Sequence, residues 1–282
     1  MDYNIIHNAN DKQYVKQCWE MAIGLQAVDD LSPSGYLYEL ANKNIEGRLT
    51  NEEIEQLLYR KYENETPEDR LERKKESDLV ANRIVGLLSD PSFTFSPVTL
   101  KYIHRTLFEG IYDHAGMFRQ YNISKSEPIL NGETVRYANY QMIEDTLRYD
   151  FQEEKERRYT TLPKEKVVAQ VSKFTSDIWQ VHPFMEGNTR TTAVFMERYL
   201  NSKGFHVNNL YFAENSKFFR NALVRANFAD FSKGIDSNST FINSFFENLL
   251  FDGKSQLLSR DTVLTQLFQQ QDEQQKEWEN ER

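Results

Sequence analysis

The sequence predicts an all-α fold with a single β-hairpin. Apolar residues recur at steps of three and four along most of the 282 residues, which places them on one face of a helix. The exception is 124–137, where Asn131-Gly132 stands between two short apolar stretches, the strongest short-range signal for a hairpin. Hydrophobic residues make up 39% of the chain and charged residues 27%, a balance typical of globular proteins.

Composition argues against several classes of function. A net charge of −9 disfavours binding to nucleic acid, which requires a basic surface. The sequence has neither an apolar run of transmembrane length nor a signal-peptide pattern at its start, so we expect no membrane association and a cytoplasmic location. Cys18 is the single cysteine, which excludes an intrachain disulfide, and its helical setting indicates a buried structural thiol.

The first part of the chain is predicted to form three short helices. Helical spacing of apolar residues covers 11–28, 36–43 and 50–62, and the Pro- and Gly-containing stretch at 30–35 separates the first two. The third helix begins at a capping residue, Thr50, with acidic residues in the next turn. We expect these three helices to form a small module.

The remaining chain alternates between charged and helical stretches. Residues 61–78 are dense in charge, which predicts a solvated face or an exposed passage. A core helix is predicted at 79–88, and 98–249 has the pattern of a helical globular domain. The polar end, 268–282, predicts a frayed helix or a disordered tail.

One stretch carries the strongest functional signal. The helix before it has a core face of apolar residues at steps of four and three, namely Val167, Val171, Phe174, Ile178 and Val181. The polar loop HPFMEGNTR follows at 182–190, and a second helix is predicted from 189 to 201, with Asn188 as its N-cap. The pattern is therefore helix, short polar loop and helix N-terminus.

This arrangement suits phosphoryl chemistry. The unpaired N–H groups and dipole of the second helix favour a phosphate, and Arg190 adds a charged donor. Glu186 offers a hard oxygen ligand for Mg²⁺, and His182 can accept a proton near neutral pH. Each residue alone has an ordinary structural explanation, but their combination within nine positions favours phosphoryl transfer.

HPFMEGNTR resembles the Fic motif, H-x-F-x-(D/E)-G-N-G-R-x-x-R. The stretches at 104–108, 111–119 and 218–227 are also similar to Fic segments, so the resemblance spans about 95–250. It implies a Fic-type helical core with a hairpin flap, an enzyme that uses Mg²⁺ and ATP, and a protein partner that carries a Ser, Thr or Tyr hydroxyl.

The resemblance assigns a role to each matching residue. His182 would be the general base, Phe184 a core anchor and Glu186 the Mg²⁺ ligand. The remaining implied nucleotide-binding residues are Gly187, Asn188, Thr189 and Arg190. The flap would dock a target segment by strand addition through Ile129, Leu130, Asn131 and Gly132.

Two positions depart from the Fic motif. Thr189 replaces the second glycine, which is tolerated if it is simply the first helical residue and disfavoured if the position needs a positive φ. Ala193 replaces the second arginine, which in the family holds the γ-phosphate of ATP, so the identity of the nucleotide is open. The candidates to replace that arginine are Arg136, Arg220 and Arg225.

The N-terminal helices resemble the VbhA-like antitoxins of bacterial toxin–antitoxin pairs. The implied division is an antitoxin module at 1–62, a helical connection at 63–94, a Fic domain at 95–250 and a polar tail at 251–282. Asp29 stands where these antitoxins have an inhibitory glutamate that pairs with the second arginine.

Because that arginine is absent, we expect Asp29 to be a degenerate inhibitory residue without an arginine partner. Two other partial matches to the inhibitory signature, at 42–47 and 243–248, are better explained as a helix end and a core helix.

The leading functional hypothesis is transfer of AMP from ATP to a protein hydroxyl, with automodification included. One alternative is a Fic transferase for UMP, GMP or a CDP-linked group, because Ala193 cannot hold a γ-phosphate. The other is a catalytically silent scaffold that binds nucleotide or protein. The sequence leaves the oligomeric state open.

Overall fold

The computed structural model describes residues 11–63 and 69–268, except for the side chains of 69–71. Within that part of the chain lie ten α-helices of eleven residues or more: α1 Lys12–Gly24, α2 Gly35–Ile45, α3 Asn51–Glu63, α4 Asp69–Ser89, α5 Pro97–Phe108, α6 Ile143–Lys155, α7 Lys164–Val181, α8 Asn188–Ser202, α9 Asn209–Asn227 and α10 Thr240–Phe251. A further helical stretch lies at 265–268. The described residues form no β-strand and only one isolated bridge, between Asp230 and Ile235. The all-α prediction is confirmed.

Helix α8 is the centre of the fold. All of its residues from 188 to 200 are buried, and it packs against α4, α5, α7 and α9. The predicted core face of α7 is buried as well, and Phe174 contacts Phe195 and Tyr199 of α8. A helix enclosed on every side holds its N-terminus in a fixed place.

The three predicted N-terminal helices are present as α1, α2 and α3. They share one continuous hydrophobic core with the rest of the chain, and α1 packs on α4 and α9. Cys18 is fully buried there, and burial raises the pKa of its thiol to about 12, as expected of a structural cysteine. Residues 42–47 are a helix end and 243–248 belong to the amphipathic helix α10, as predicted.

The prediction of a solvated stretch at 61–78 is wrong at its C-terminal end. Ser77 and Asp78 are buried in α4. The carboxylate of Asp78 accepts hydrogen bonds from the Ser34 N–H at 2.7 Å and from the Tyr62 hydroxyl at 2.7 Å. The density of charged residues could not predict this burial. A carboxylate can be buried when hydrogen-bond donors satisfy it, and the donors to Asp78 lie 16 and 44 residues away in sequence.

The predicted hairpin at 124–137 is not formed. Pro128–Leu130 is a single 3₁₀ turn, Asn131 and Gly132 follow with φ of 54° and 87°, and one backbone bond of 3.0 Å from Glu127 N to Glu133 O closes the loop. The turn residues behave as the Asn-Gly signal predicts. Pro128 cannot donate to a ladder, and Ile129 and Leu130 are buried against the domain instead of alternating. We call residues 124–137 the flap segment.

The chain after α10 runs back over the flap segment. Leu264 N donates to Ile129 O at 2.9 Å, and Leu267 is buried. The tail predicted for 251–282 therefore packs on the domain at Thr262 and Leu267, and the prediction for 269–282 concerns residues outside the described chain. No helix in the described ranges has the length and apolar character needed to cross a bilayer.

Candidate active site

His182 ends helix α7 and opens the polar loop. Its backbone is left-handed, with φ of 47° and ψ of 58°, and its Nδ1 lies 3.3 Å from Trp179 O. A carbonyl only accepts hydrogen bonds, so Nδ1 carries the proton and Nε2 keeps its lone pair. The ring is 5% exposed, and burial, with Lys125 as the next cause, lowers the pKa of His182 to about 3. The imidazole is therefore neutral, with Nε2 unprotonated.

Arg119 fixes the backbone around His182, a role that the residue-level assignments missed. Its N–H donates to Pro183 O at 2.9 Å. Its buried guanidinium donates to four carbonyl oxygens, those of Tyr121, Ala138, Val181 and His182, at 2.5–3.1 Å. The signal was available, because Arg119 ends the stretch at 111–119 that resembles a Fic segment.

Asn188 braces the loop from inside. Its Oδ1 accepts from Phe184 N at 3.0 Å, and its Nδ2 donates to Phe184 O at 2.9 Å. The prediction of Asn188 as N-cap is wrong by one residue, because Gly187 is the N-cap and Asn188 is the first helical residue. Phe184 is buried and stacks on His104 with ring centroids 3.8 Å apart, as expected of a core anchor.

The two positions that correspond to the glycines of the motif, Gly187 and Thr189, have different backbone conformations. Gly187 has φ of 70°, and a Cβ there would lie 2.3 Å from the Phe108 ring, so only glycine fits. Thr189 has helical backbone, and its hydroxyl accepts from Trp179 Nε1 at 3.0 Å. The loss of the second motif glycine therefore causes no strain.

Glu186 presents an exposed carboxylate beside this helix N-terminus. Its carbonyl is 3.1 Å from His104 Nε2, while Gly116 N donates to His104 Nδ1 at 2.8 Å, so Nε2 carries the proton. The carboxylate itself forms no hydrogen bond or ion pair with the described residues. The backbone is anchored and the side chain is available for a hard cation.

Arg190 is already occupied by acidic partners. Its Nε lies 2.9 Å from Asp29 Oδ2, without hydrogen-bond alignment, and its Nη2 donates to Glu76 Oε1 at 2.7 Å. A third contact joins Nη1 to Gln26 Oε1 at 3.2 Å. Burial alone would lower the pKa of the Arg190 guanidinium, which is 1% exposed, but Asp29 and then Glu76 raise it.

The expectation that Asp29 lacks an arginine partner is therefore wrong. The search for a partner considered position 193, whereas the 3₁₀ turn Leu25–Asp29 lies against the start of α8 and brings Asp29 to Arg190. Glu76 was missed because it lies in the stretch interpreted as solvated. Ala193 is fully buried and does not line the cavity at the loop, so its side chain cannot contact a nucleotide there.

A cavity of about 590 Å³ opens over the loop. Its charged lining consists of Arg73, Lys125, Arg190, Lys217, Arg220, Asp29, Asp30, Glu76 and Glu186. A smaller hollow at His182 shares Asp29, Lys125, Glu186 and Arg220 with it. Of the three arginines considered as replacements at position 193, only Arg220 lines the cavity, and it pairs with the buried Glu127 at 2.8 Å.

Residues 94–200, which include the loop and its two flanking helices, match the Fic/DOC family. The chain contains a Fic/DOC domain. The family resemblance is thereby confirmed for this stretch, whereas the antitoxin character of the N-terminal helices stays a prediction.

Solved Fic domains share the fold. The N-terminal Fic domain of a VirB-translocated Bep effector from Bartonella quintana, with bound ADP, is 19% identical, with 66% of this chain and 87% of that one covered and a TM-score of 0.53. BepC from Bartonella tribocorum, with bound AMPPNP, is 17% identical, with 64% of this chain and 87% of that one covered and a TM-score of 0.51. The N-terminal Fic domain of Bep8 from Bartonella sp. 1-1C is 20% identical, with 66% of this chain and 87% of that one covered and a TM-score of 0.51. The TM-scores show that these domains and this chain share a fold.

Proposed function

We propose that this protein transfers AMP from ATP, with Mg²⁺, to a Ser, Thr or Tyr hydroxyl of a protein. One observation carries the proposal: a neutral His182 and an unpaired Glu186 carboxylate flank the same hollow at the N-terminus of α8. A base and a metal ligand beside an anion-binding helix end are the parts that phosphoryl transfer requires.

The surroundings support a nucleotide as the donor. The hollow opens into a cavity lined by Lys125, Lys217 and Arg220, which can offset phosphate charge. The Bartonella domains with bound ADP and AMPPNP have the same fold, which makes an adenine nucleotide the first donor to test.

Glu186 fits a magnesium ion. Mg²⁺ binds through one or two carboxylates together with substrate phosphates and waters, so a single exposed carboxylate next to the helix N-terminus suffices. The described residues contain no group of three or more potential ligands, which argues against a caged metal. When bound, the ion would neutralise charge on the phosphates.

In the transfer step, Nε2 of His182 accepts the proton of the target hydroxyl. The hydroxyl oxygen bonds to the α-phosphorus of ATP, the bond to the β-phosphate oxygen breaks, and pyrophosphate leaves. Arg119 contributes by holding the backbone at 181–183, which orients the imidazole.

Two alternatives rest on particular residues. Buried Ala193 cannot grip a γ-phosphate, which favours a donor held in another way, such as a source of UMP, GMP or a CDP-linked group. The pairing of Arg190 with Asp29 and Glu76 favours a silent scaffold.

Labelling with α-³²P-labelled ATP, GTP, UTP and CTP, with Mg²⁺ or EDTA, separates these functions. We expect Mg²⁺-dependent label on protein from ATP, and intact-mass analysis identifies the group transferred. Stronger label from another nucleotide would establish the alternative donor. Nucleotide binding without label from any donor, also in Asp29→Ala, would establish the scaffold.

A further inference from the structure

The segment after α10 reaches the candidate active site. A 3₁₀ turn, Ser259–Thr262, is followed by residues that pack on the flap segment, with Leu264 N bonded to Ile129 O at 2.9 Å. Leu267 is buried at its far end. The backbone carbonyl of Ile129, which a docking target would use, is thus engaged by the protein's own chain.

The turn itself is rigidly held. Thr262 is fully buried, and its hydroxyl donates to Ser259 O at 2.5 Å. Arg225 Nη1 donates to Thr262 O at 3.0 Å. These two bonds fix the backbone of Ser259, whose half-buried side chain lines the cavity that also contains Glu186 and Lys125.

We propose that Ser259 is an acceptor within the same chain for the nucleotide monophosphate that this site transfers. The inference rests on the proposed function and adds the acceptor. Ser259 lies five residues before Leu264, which bonds to the flap segment, and the cavity that it lines joins the His182 hollow through four shared residues, Asp29, Lys125, Glu186 and Arg220. A tethered hydroxyl at this position has the advantage of proximity over a free one.

Two other residues with hydroxyl groups, Tyr112 and Ser126, line the cavity. The Tyr112 hydroxyl donates to Glu76 Oε1 at 2.8 Å, and burial raises the pKa of the phenol. The Ser126 Oγ lies across the turn against Gly132, 3.5 Å from the point that a Cβ on that glycine would occupy. Ser259 forms no such side-chain contact with the described residues.

In the transfer to Ser259, each bond that forms is matched by one that breaks. The Oγ of Ser259 bonds to the α-phosphorus, its proton passes to Nε2 of His182, and the bond to the leaving oxygen breaks to release pyrophosphate. The product is a phosphodiester between Ser259 and the nucleoside.

The test is incubation of the full chain with Mg²⁺ and α-³²P-labelled ATP, GTP or UTP, followed by peptide mapping and pyrophosphate assay. The same is done with Asp29→Ala, in case the wild type is slow. We expect label on Ser259, loss of most label in Ser259→Ala, and no such loss in the controls Ser126→Ala and Ser255→Ala. Ser126 lines the cavity, whereas Ser255 is an exposed serine of the same segment that does not.

Three other results would overturn part or all of the proposal. Pyrophosphate release with label elsewhere, or with none on the chain, would overturn the assignment of Ser259 and leave the transfer chemistry standing. Neither pyrophosphate nor label from any donor, in both proteins, would overturn both proposals. A labelling rate constant that rises with protein concentration would overturn acceptance within one chain.

Discussion

The polar loop at 182–190 and the flap segment at 124–137 face the same cavity but are held in different ways. The loop is braced by its own residues and the adjoining helices, as in the paired bonds between Asn188 and Phe184. The flap segment is braced by distant residues, with Glu127 paired to Arg220 and Ile129 bonded to Leu264. Local sequence therefore contributes more to the shape of the loop, which also depends on Arg119, whereas later parts of the chain determine that of the flap segment.

The largest effect is expected from the loop residue at the chemical centre. His182→Ala removes the general base and should lower transfer by about 10²–10⁴-fold. Thermal unfolding should change little by comparison, because Arg119 binds the backbone carbonyl at 182 and not the imidazole. Labelling rate and melting temperature test both claims, with exposed His206→Ala as the control. A folded His182→Ala protein that keeps more than about a tenth of the rate is incompatible with a base at this position.

The loop is not held from inside alone, since Asp29 reaches Arg190 from the N-terminal helices. Asp29→Ala should free Arg190 for a phosphate and raise transfer by about tenfold or more, which corresponds to about 1.4 kcal/mol. This replaces the expectation from sequence, in which Asp29 has no arginine partner and its loss has almost no effect.

The control for this experiment is Asp30→Ala. Asp30 is exposed and pairs with Lys217 instead, so its removal should leave the rate within about twofold. A change in Asp29→Ala no larger than that of Asp30→Ala would show that Arg190 is not gated by Asp29. Glu76→Gln should add to the gain, because it removes the second carboxylate from the same guanidinium.

Two glycines give a matched test of how tightly each region is packed. Gly187 and Gly132 both have positive φ, so alanine at either costs about 1–2 kcal/mol from backbone conformation. At Gly187 the new Cβ would also overlap the Phe108 ring, and overpacking adds about 1–3 kcal/mol. At Gly132 the nearest atom is the Ser126 Oγ at 3.5 Å. Urea unfolding should show Gly187→Ala as the less stable variant, and equal stabilities would contradict the difference in packing.

The same contrast explains what sequence could predict. Helical periodicity gave approximate places for α1, α2, α3, α7, α8 and the second half of α4, because these signals lie within a few turns. The loop motif singled out His182, Glu186 and Gly187 as candidates for the same reason. The Asn-Gly turn was also identified correctly. Strand pairing around that turn was not, because it depended on Pro128 and on contacts 136 residues away at Leu267.

The acidic partners of Arg190 could not be predicted from sequence either. Asp29 and Glu76 lie 161 and 114 positions from Arg190, and no periodicity links them. Only the packing of the turn Leu25–Asp29 and of α4 against α8 brings the three together. Long-range ion pairs of this kind require the tertiary structure.

The smallest effect is expected from acid, and it tests the burial of the loop directly. Burial lowers the pKa of His182 from its ordinary value to about 3, so the base stays neutral as the pH falls through 6.5. The nearby cations Lys125, Arg119 and Arg220 act in the same direction, because each disfavours a positive charge on the imidazole. The value of kcat/KM for the nucleotide, which reports the free enzyme, should therefore change by less than about twofold between about pH 7.5 and 5.5. An acid limb centred near pH 6.5 that persists in the His206→Ala control would show that the His182 imidazole is solvated. The polar loop would then be more open to water than its burial in the structure indicates.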